Sequence, residues 1–232
     1  MKGISAIIAA GGIGKRMGAD VPKQCLCIKD KPIIAYSVEK LNKIDDIKEI
    51  IVVCPKDFKT QIQEILSDKN LSKKIKNIVD GGTRRQDSVK NGIEQVSDDI
   101  DYVLIHDAVR PFIKEEILNK LIKQAYECGS AILGVRVKST IKKCNGHGIV
   151  MHTVDRTDLW EVQTPQVFRK DLLLACYKKD IFSHRVFTDE AMMIEELGNS
   201  KVVIVEGEYS NIKITTKEDL VLAEAMVGTA PF

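Results

Sequence analysis

Residues 6–24 read AIIAAGGIGKRMGADVPKQ. An apolar run breaks into Gly11, Gly12 and Gly14, and Lys15, Arg16 and Lys23 follow within nine positions. Glycines lack a Cβ, so their backbone N–H groups can close on an anion, and cations fixed beside such a nest suit a polyphosphate. Pro22 stiffens the chain just before Lys23, which limits the entropy lost when that ammonium is held on a ligand. Two common phosphate loops are excluded. No Gly-Lys-Ser/Thr closes a Walker loop, and glycines at 12, 14 and 18 miss the dinucleotide spacing. A tight turn followed by solvated lysines gives the same local pattern, so the loop needs support from the rest of the chain.

The elements that must position this loop follow from periodicity. Short apolar runs at 5–9, 49–54, 75–79, 102–106, 131–137 and 202–205 read as strands. Segments 33–41, 58–66, 86–96, 114–127 and 170–178 carry apolar residues at three- and four-residue spacing and read as helices. Buried strands alternating with amphipathic helices predict an α/β fold, doubly wound, with a mostly parallel Rossmann-like sheet. Such sheets bind ligands beyond the carboxyl ends of their strands. The stretch 138–156, KSTIKKCNGHGIVMHTVDR, departs from this rhythm. It alternates and turns at Asn145-Gly146, so it predicts a β-hairpin arm, and isolated hairpins are marginal in water without a cover. The expected cover is a second subunit.

Bulk properties remove other classes. The 232 residues fit one domain covering 1–232, and 44% hydrophobic with 29% charged residues is ordinary for a globular chain. A formal net charge of +2 gives no basis for nucleic-acid or anionic-membrane binding. Six dispersed cysteines, of which only Cys25 and Cys27 are close, offer no zinc spacing and suit reduced thiols. The short apolar start flows into the glycine loop rather than into a cleavage site, and no run approaches the roughly 20 apolar residues of a membrane span. A cytoplasmic location is expected.

With A-x-G-x-x-x-R-M and P-K-Q in the opening loop, the chain then carries GGTRRQDSVKNG (81–92), HDAVRPF (106–112), STIK (139–142), DRTDLWEVQTPQVF (155–168), TDEA (188–191) and NIKITTKEDL (211–220). These motifs, in this order and nearly end to end, resemble the cytidylyltransferases that activate sugar-alcohol phosphates. The Trp160 motif and TDEA resemble the methylerythritol phosphate branch, of the non-mevalonate isoprenoid pathway. The loop, HDAVRPF and GEYSNIKITT are also similar to the ribitol 5-phosphate branch of wall-polymer synthesis. Methylerythritol phosphate is the expected acceptor, with ribitol phosphate as the alternative. Ser139 stands where both branches usually have aspartate, a departure that sequence does not explain.

The resemblance implies attack by a phosphate-monoester oxygen on the α-phosphorus of CTP, with pyrophosphate expelled. The nucleophile is already anionic, so the site must position and offset charge rather than supply a strong base. By the same resemblance Ala10, Gly11, Gly12, Gly14, Arg16 and Lys23 hold the triphosphate, and Lys213 approaches the α-phosphate. Gly81, Gly82, Asp87 and Ser88 resemble the cytosine reader, although Asp87 or Ser88 could equally be a helix cap. Asp107 ends the strand YVLIH and is expected to meet Mg²⁺ (or another divalent cation), its water shell, or acceptor hydroxyls. Arg110, Thr140, Arg156 and Thr164 match positions that bind the acceptor. Thr140 and Arg156 bracket the arm, so the family pattern places them in a partner's site within a homodimer. His106 reads as structural rather than as a base, and Trp160 as packing.

Overall fold

The structure, a computed structural model, describes residues 3–12, 21–179, 181–198 and 200–229. Eleven strands run in chain order through these residues. They are β1 (Ile4–Ala9), β2 (Cys27–Ile28), β3 (Lys31–Pro32), β4 (Ile47–Cys54), β5 (Ile75–Asp80), β6 (Tyr102–Asp107), β7 (Ser130–Arg136), β8 (Ile141–Cys144), β9 (Val150–Val154), β10 (Trp160–Arg169) and β11 (Val203–Glu206). The helices are α1 (Ile33–Asn42), α2 (Lys59–Leu66), α3 (Arg85–Ile93), α4 (Glu115–Cys128), α5 (Lys170–Tyr177), α6 (Ile181–His184), α7 (Glu190–Met193) and α8 (Lys217–Thr229).

Seven strands form one sheet in the order β11-β7-β10-β6-β1-β4-β5. All neighbours are parallel except β10, which runs antiparallel to both β6 and β7. The two-residue side-chain period sorts the sheet into two cores. Ala6, Ile8, Ile50, Val52 and Leu104 meet α1, α2 and α4 on one face, while Ile7, Ile51, Val53, Val103 and Ile105 meet α3, α5 and α7 on the other. Burial on both faces is why these strands read as unbroken apolar runs. A smaller cluster of Ile28, Ile33, Val109, Phe112, Ile214 and Ala223 ties α8 to β2, to the start of α1 and to the segment that follows β6.

The expected α/β architecture is present, and the predicted strand and helix ends shift by no more than three residues. The chain leaves β1 toward β4 and β5 on one side and returns to β6 on the other, so the crevice beyond the carboxyl ends of β1 and β6 is the switch point where such folds bind ligands. Gly92 brings α3 close to this region: a Cβ there would lie 2.8 Å from Ile7 Cγ2 and 2.9 Å from Val53 Cγ2. The predicted arm is the two-stranded sheet β8–β9, whose turn is closed by Asn145 Oδ1 accepting from the N–H groups of His147 (3.0 Å) and Ile149 (3.1 Å). Ile149, Val150 and Met151 on the arm are 64, 54 and 63% exposed, a run of apolar side chains left open to solvent by the described residues. Periodicity did not reveal β10 or α8. Among the described residues no helix is long and apolar enough to cross a membrane.

Candidate active site

Three strand ends and the loops that follow them build a first recess of about 240 Å³. The end of β1 contributes Ala10, Gly11 and Gly12. Its path is fixed by the Ala10 N–H, which donates to the Val53 carbonyl at 2.8 Å, and by buried Gln24, whose Nε2 donates to the Ala10 carbonyl at 2.5 Å. Gln24 is thus the reason the P-K-Q turn sits where it does, and it carries Lys23 into the recess wall. Gly14 and Arg16 lie outside the described residues.

The end of β5 contributes the glycine pair. The Gly81 N–H donates to the Cys54 carbonyl at 2.8 Å, and the Gly82 N–H donates to Ser88 Oγ at 3.0 Å. A Cβ on Gly81 would lie 3.0 Å from Ser88 Oγ, a tight fit, and one on Gly82 only 2.4 Å from Asp87 Cβ, so Gly82 in particular needs glycine. Ser88 therefore lines the recess while holding its floor. Asp87 does something else: its carboxylate accepts from the Arg84 N–H at 3.1 Å and pairs with the Arg84 guanidinium at 2.6 Å. The hydrogen bonds from Arg84 hold it below the usual carboxylate range. It fixes the first turn of α3 and does not line the recess.

A second recess of about 230 Å³ opens beside the first, lined by Arg110, Gln163, Thr164, Gln166, Thr188 and Asp189 among others. The two share three residues, Arg85, Asp107 and Lys213. Asp107 closes β6 and is 6% exposed. Its Oδ2 meets Lys213 Nζ at 2.6 Å and its Oδ1 stands 3.6 Å from Arg85. Burial alone would raise its pKa, but Arg85, Lys213 and Arg110 outweigh that and hold the carboxyl well below the usual range. Lys213 reaches the wall because the Ile214 N–H donates to the Val109 carbonyl at 3.0 Å and Ile214 is fully buried.

Arg110 is buried, and one of its amino groups donates to the Asn211 carbonyl at 2.7 Å. Asn211 in turn donates to Gln163 and to the Thr164 carbonyl, so the NIKITT segment is locked to β10. Among the described residues Arg110 Nε and Gln166 Oε1 are buried polar atoms without a hydrogen-bond partner. His106 has no nitrogen to spare. Its Nε2–H donates to the Arg110 carbonyl at 3.0 Å, which leaves Nδ1 to face the Thr164 hydroxyl at 3.3 Å. Thr164 Oγ1 accepts from the Asp107 N–H at 3.0 Å, so His106 and Thr164 fix the Asp107 backbone.

Sequence reasoning thus placed Ala10, Gly11, Gly12, Lys23, Gly82, Ser88, Asp107, Arg110, Thr164 and Lys213 in one connected cleft. It missed Arg85, the first residue of α3, and its partner Glu190; both stood in quoted motifs, but nothing in the sequence separated Arg85 from Arg84. Thr140 and Arg156 are exposed at the base of the arm and line neither recess. Trp160 is half-buried on β10, with the Arg136 guanidinium 4.6 Å from its ring. All six cysteines are free.

The chain matches the family described as 2-C-methyl-D-erythritol 4-phosphate cytidylyltransferase (IspD) over residues 4–229. An enzyme of that name from Clostridium botulinum (strain ATCC 19397 / Type A) is 44% identical over 223 residues, 96% of each chain. One from Alkaliphilus metalliredigens is 41% identical over 225 residues, covering 97% of this chain and 93% of its own. The crystal structure of 4-diphosphocytidyl-2C-methyl-D-erythritol synthase from Anaerococcus prevotii superposes with a TM-score of 0.85 at 34% identity, covering 98% of this chain and 96% of that one. The corresponding cytidylyltransferase from Thermus thermophilus gives 0.80 at 28% identity, covering 99% and 100%. Matched end to end in sequence and in fold, the chain belongs to the 2-C-methyl-D-erythritol 4-phosphate cytidylyltransferase family.

Proposed function

We propose that the two recesses hold the two substrates of this family's reaction and that their shared wall is where the phosphates meet. The chain transfers a cytidylyl group from CTP to 2-C-methyl-D-erythritol 4-phosphate and releases pyrophosphate. The bond formed joins an acceptor phosphate oxygen to the α-phosphorus, and the bond broken is that from the α-phosphorus to the α–β bridging oxygen, which leaves with the pyrophosphate. The observation that carries the assignment of recesses is the shared Arg85–Asp107–Lys213 wall, because a nucleotide and an acceptor can react only where their pockets touch.

In this reading Ala10, Gly11, Gly12, Gly14, Arg16 and Lys23 cradle the triphosphate, and Gly81, Gly82 and Ser88 face the cytidine. Asp87 supports the reader by bonding Arg84. Lys213 leaves Asp107 for the α-phosphate as substrate enters; at 39% side-chain exposure it is free to swing. Arg110 and Gln166, each with one buried polar atom left unpartnered, are among the polar side chains that line the acceptor recess, a lining that suits a hydroxylated phosphate. Backbone and hydroxyl donors aimed at developing charge in such a site each contribute about 100–1000-fold in rate.

Asp107 also bears on metal binding. Both of its oxygens face cations, and among the described residues no three His, Cys, Asp or Glu side chains converge. That donor set suits Mg²⁺ carried in by the triphosphate, with water and phosphate oxygens as its main ligands and Asp107 as the protein carboxylate within reach. The ion would offset phosphate charge. We read residues 1–232 as one nucleotidyltransferase domain whose arm, at about 138–156, pairs with a second copy. The exposed Ile149, Val150 and Met151 support this, and the pairing would bring Thr140 and Arg156 to the partner's acceptor recess. The test supplies CTP, Mg²⁺ and either acceptor and measures pyrophosphate. Turnover is expected with methylerythritol phosphate and much less with ribitol 5-phosphate; the reverse ranking would overturn the acceptor assignment.

A further inference from the structure

We propose that Arg85 is a catalytic residue that contacts the transferring phosphate at the shared wall, and that Glu190 positions it. The inference rests on the two-recess reading above and extends it to a pair which that reading does not use.

Arg85 begins α3 and is one of the three residues common to both recesses. Its way of binding Glu190 is unusual. A guanidinium normally meets a carboxylate fork to fork, with two nitrogens on two oxygens. Here one nitrogen, Nη1, donates to both Glu190 oxygens at 2.8 Å. Nη2 is left toward the cleft, 3.6 Å from Asp107 Oδ1 and beyond hydrogen-bond distance. The Arg85 side chain is 28% exposed, so a ligand can reach it, whereas Glu190 is 2% exposed and lines neither of the two recesses. The pair thus has a buried end that anchors and an open end that offers a donor.

A simpler role would be to tie the 181–190 segment to α3. Neighbouring residues already do that. Gln86 Nε2 donates to the carbonyls of Phe182 at 3.2 Å and Arg185 at 2.9 Å, and its Oε1 accepts from the Phe187 N–H at 2.8 Å. Arg84 Nη1 donates to the Arg185 carbonyl at 3.2 Å. These contacts flank Arg85 in sequence and fix the backbone that carries Glu190. A fully buried carboxylate is a costly way to add one more tie, because desolvation opposes it. Burial does push the Glu190 pKa up, against the pull of Arg85, while Glu190 and Asp107 more than offset the burial of Arg85 and keep it charged. What the carboxylate adds is direction. It holds the cation's open edge where a nucleotide α-phosphate and an acceptor phosphate, both anionic, must approach each other.

The test is a double-mutant cycle with Arg85→Gln, Glu190→Gln and the double variant, following kcat and KM for both substrates at saturating co-substrate, with melting temperatures alongside. Arg85→Gln should lower kcat about 100-fold, the loss of one preorganised donor, with KM for CTP within about threefold. Glu190→Gln should lower kcat about tenfold or more, and the double variant should be no worse than Arg85→Gln alone, because Glu190 acts only through Arg85. Should Glu190→Gln fail to fold once the Arg85 guanidinium loses that carboxylate, the double variant removes both charges and still supplies the comparison. A folded Arg85→Gln with kcat within threefold of wild type would overturn the proposal. So would a double variant whose loss is the product of the two single losses. These outcomes leave the parent reading standing, since wild-type turnover of CTP with methylerythritol phosphate tests that separately; an inactive wild-type protein would sink both.

Discussion

His106 gives the most quantitative prediction. It looks like a general base by composition, since it adjoins Asp107 in the cleft, yet its ring is fully buried and both nitrogens are engaged. Burial pushes its pKa down from an ordinary 6.5 to about 4, against the pull of the Asp107 carboxylate and the Arg110 carbonyl and with the help of the Arg110 charge. The folded state therefore prefers the neutral ring. Between pH 6.5 and 4 the unfolded chain binds a proton that the folded chain does not, so stability falls as pH falls through that window and is fully present above it. At about 1.4 kcal/mol per pH unit, this shift contributes roughly 3 kcal/mol, of which roughly 2 kcal/mol is lost between pH 7 and pH 4.5. The assay is urea unfolding of wild type and His106→Gln at both pH values. Acidification should cost wild type about 2 kcal/mol more than the variant, because other titrating groups such as Glu190 are common to both. Equal losses in the two proteins would refute the argument that His106 is a buried neutral strut.

Three further predictions test the loop and the arm. Gly82→Ala would place a Cβ 2.4 Å from Asp87 Cβ, so it should destabilise the fold by about 1–3 kcal/mol and weaken CTP binding by calorimetry, whereas Gly146→Ala, with nothing within 4 Å, should do neither. Met151→Glu on the arm should convert a dimer to monomers in sedimentation, and mixing Arg156→Ala with Lys23→Ala subunits should restore part of the activity each lacks alone; no restoration would count against shared sites.

Much of this was legible in the sequence, for a physical reason. Strands such as β1 and β4 are buried on both faces and cannot be mistaken for anything else at their length. β10 was not legible, because Gln163, Thr164 and Gln166 are polar yet buried, held by Asn211, Asp107 and Asp189 from other elements. α8 was hidden because Val221 and Leu222 face outward while Ala223 is the buried residue, which blurs the helical stripe. In the cleft, the types at Lys23, Ser88, Asp107 and Lys213 announced themselves through their motifs. Arg85 did not, because Arg84 and Arg85 both line the first recess, and which of the two reaches the wall shared with the second depends on where α3 begins and on Glu190, 105 residues away. Asp87 and Ser88 posed the same problem: consecutive at the start of one helix, one holds the turn and the other faces the recess.

If nucleotide and acceptor meet at Arg85, Asp107 and Lys213, a crystal structure of the protein with CTP and Mg²⁺ shows it most directly. The α-phosphate is expected against that wall, within hydrogen-bond distance of Lys213, with the cytosine over Gly81, Gly82 and Ser88. An α-phosphate bound away from the wall, with Lys213 still on Asp107, would contradict it.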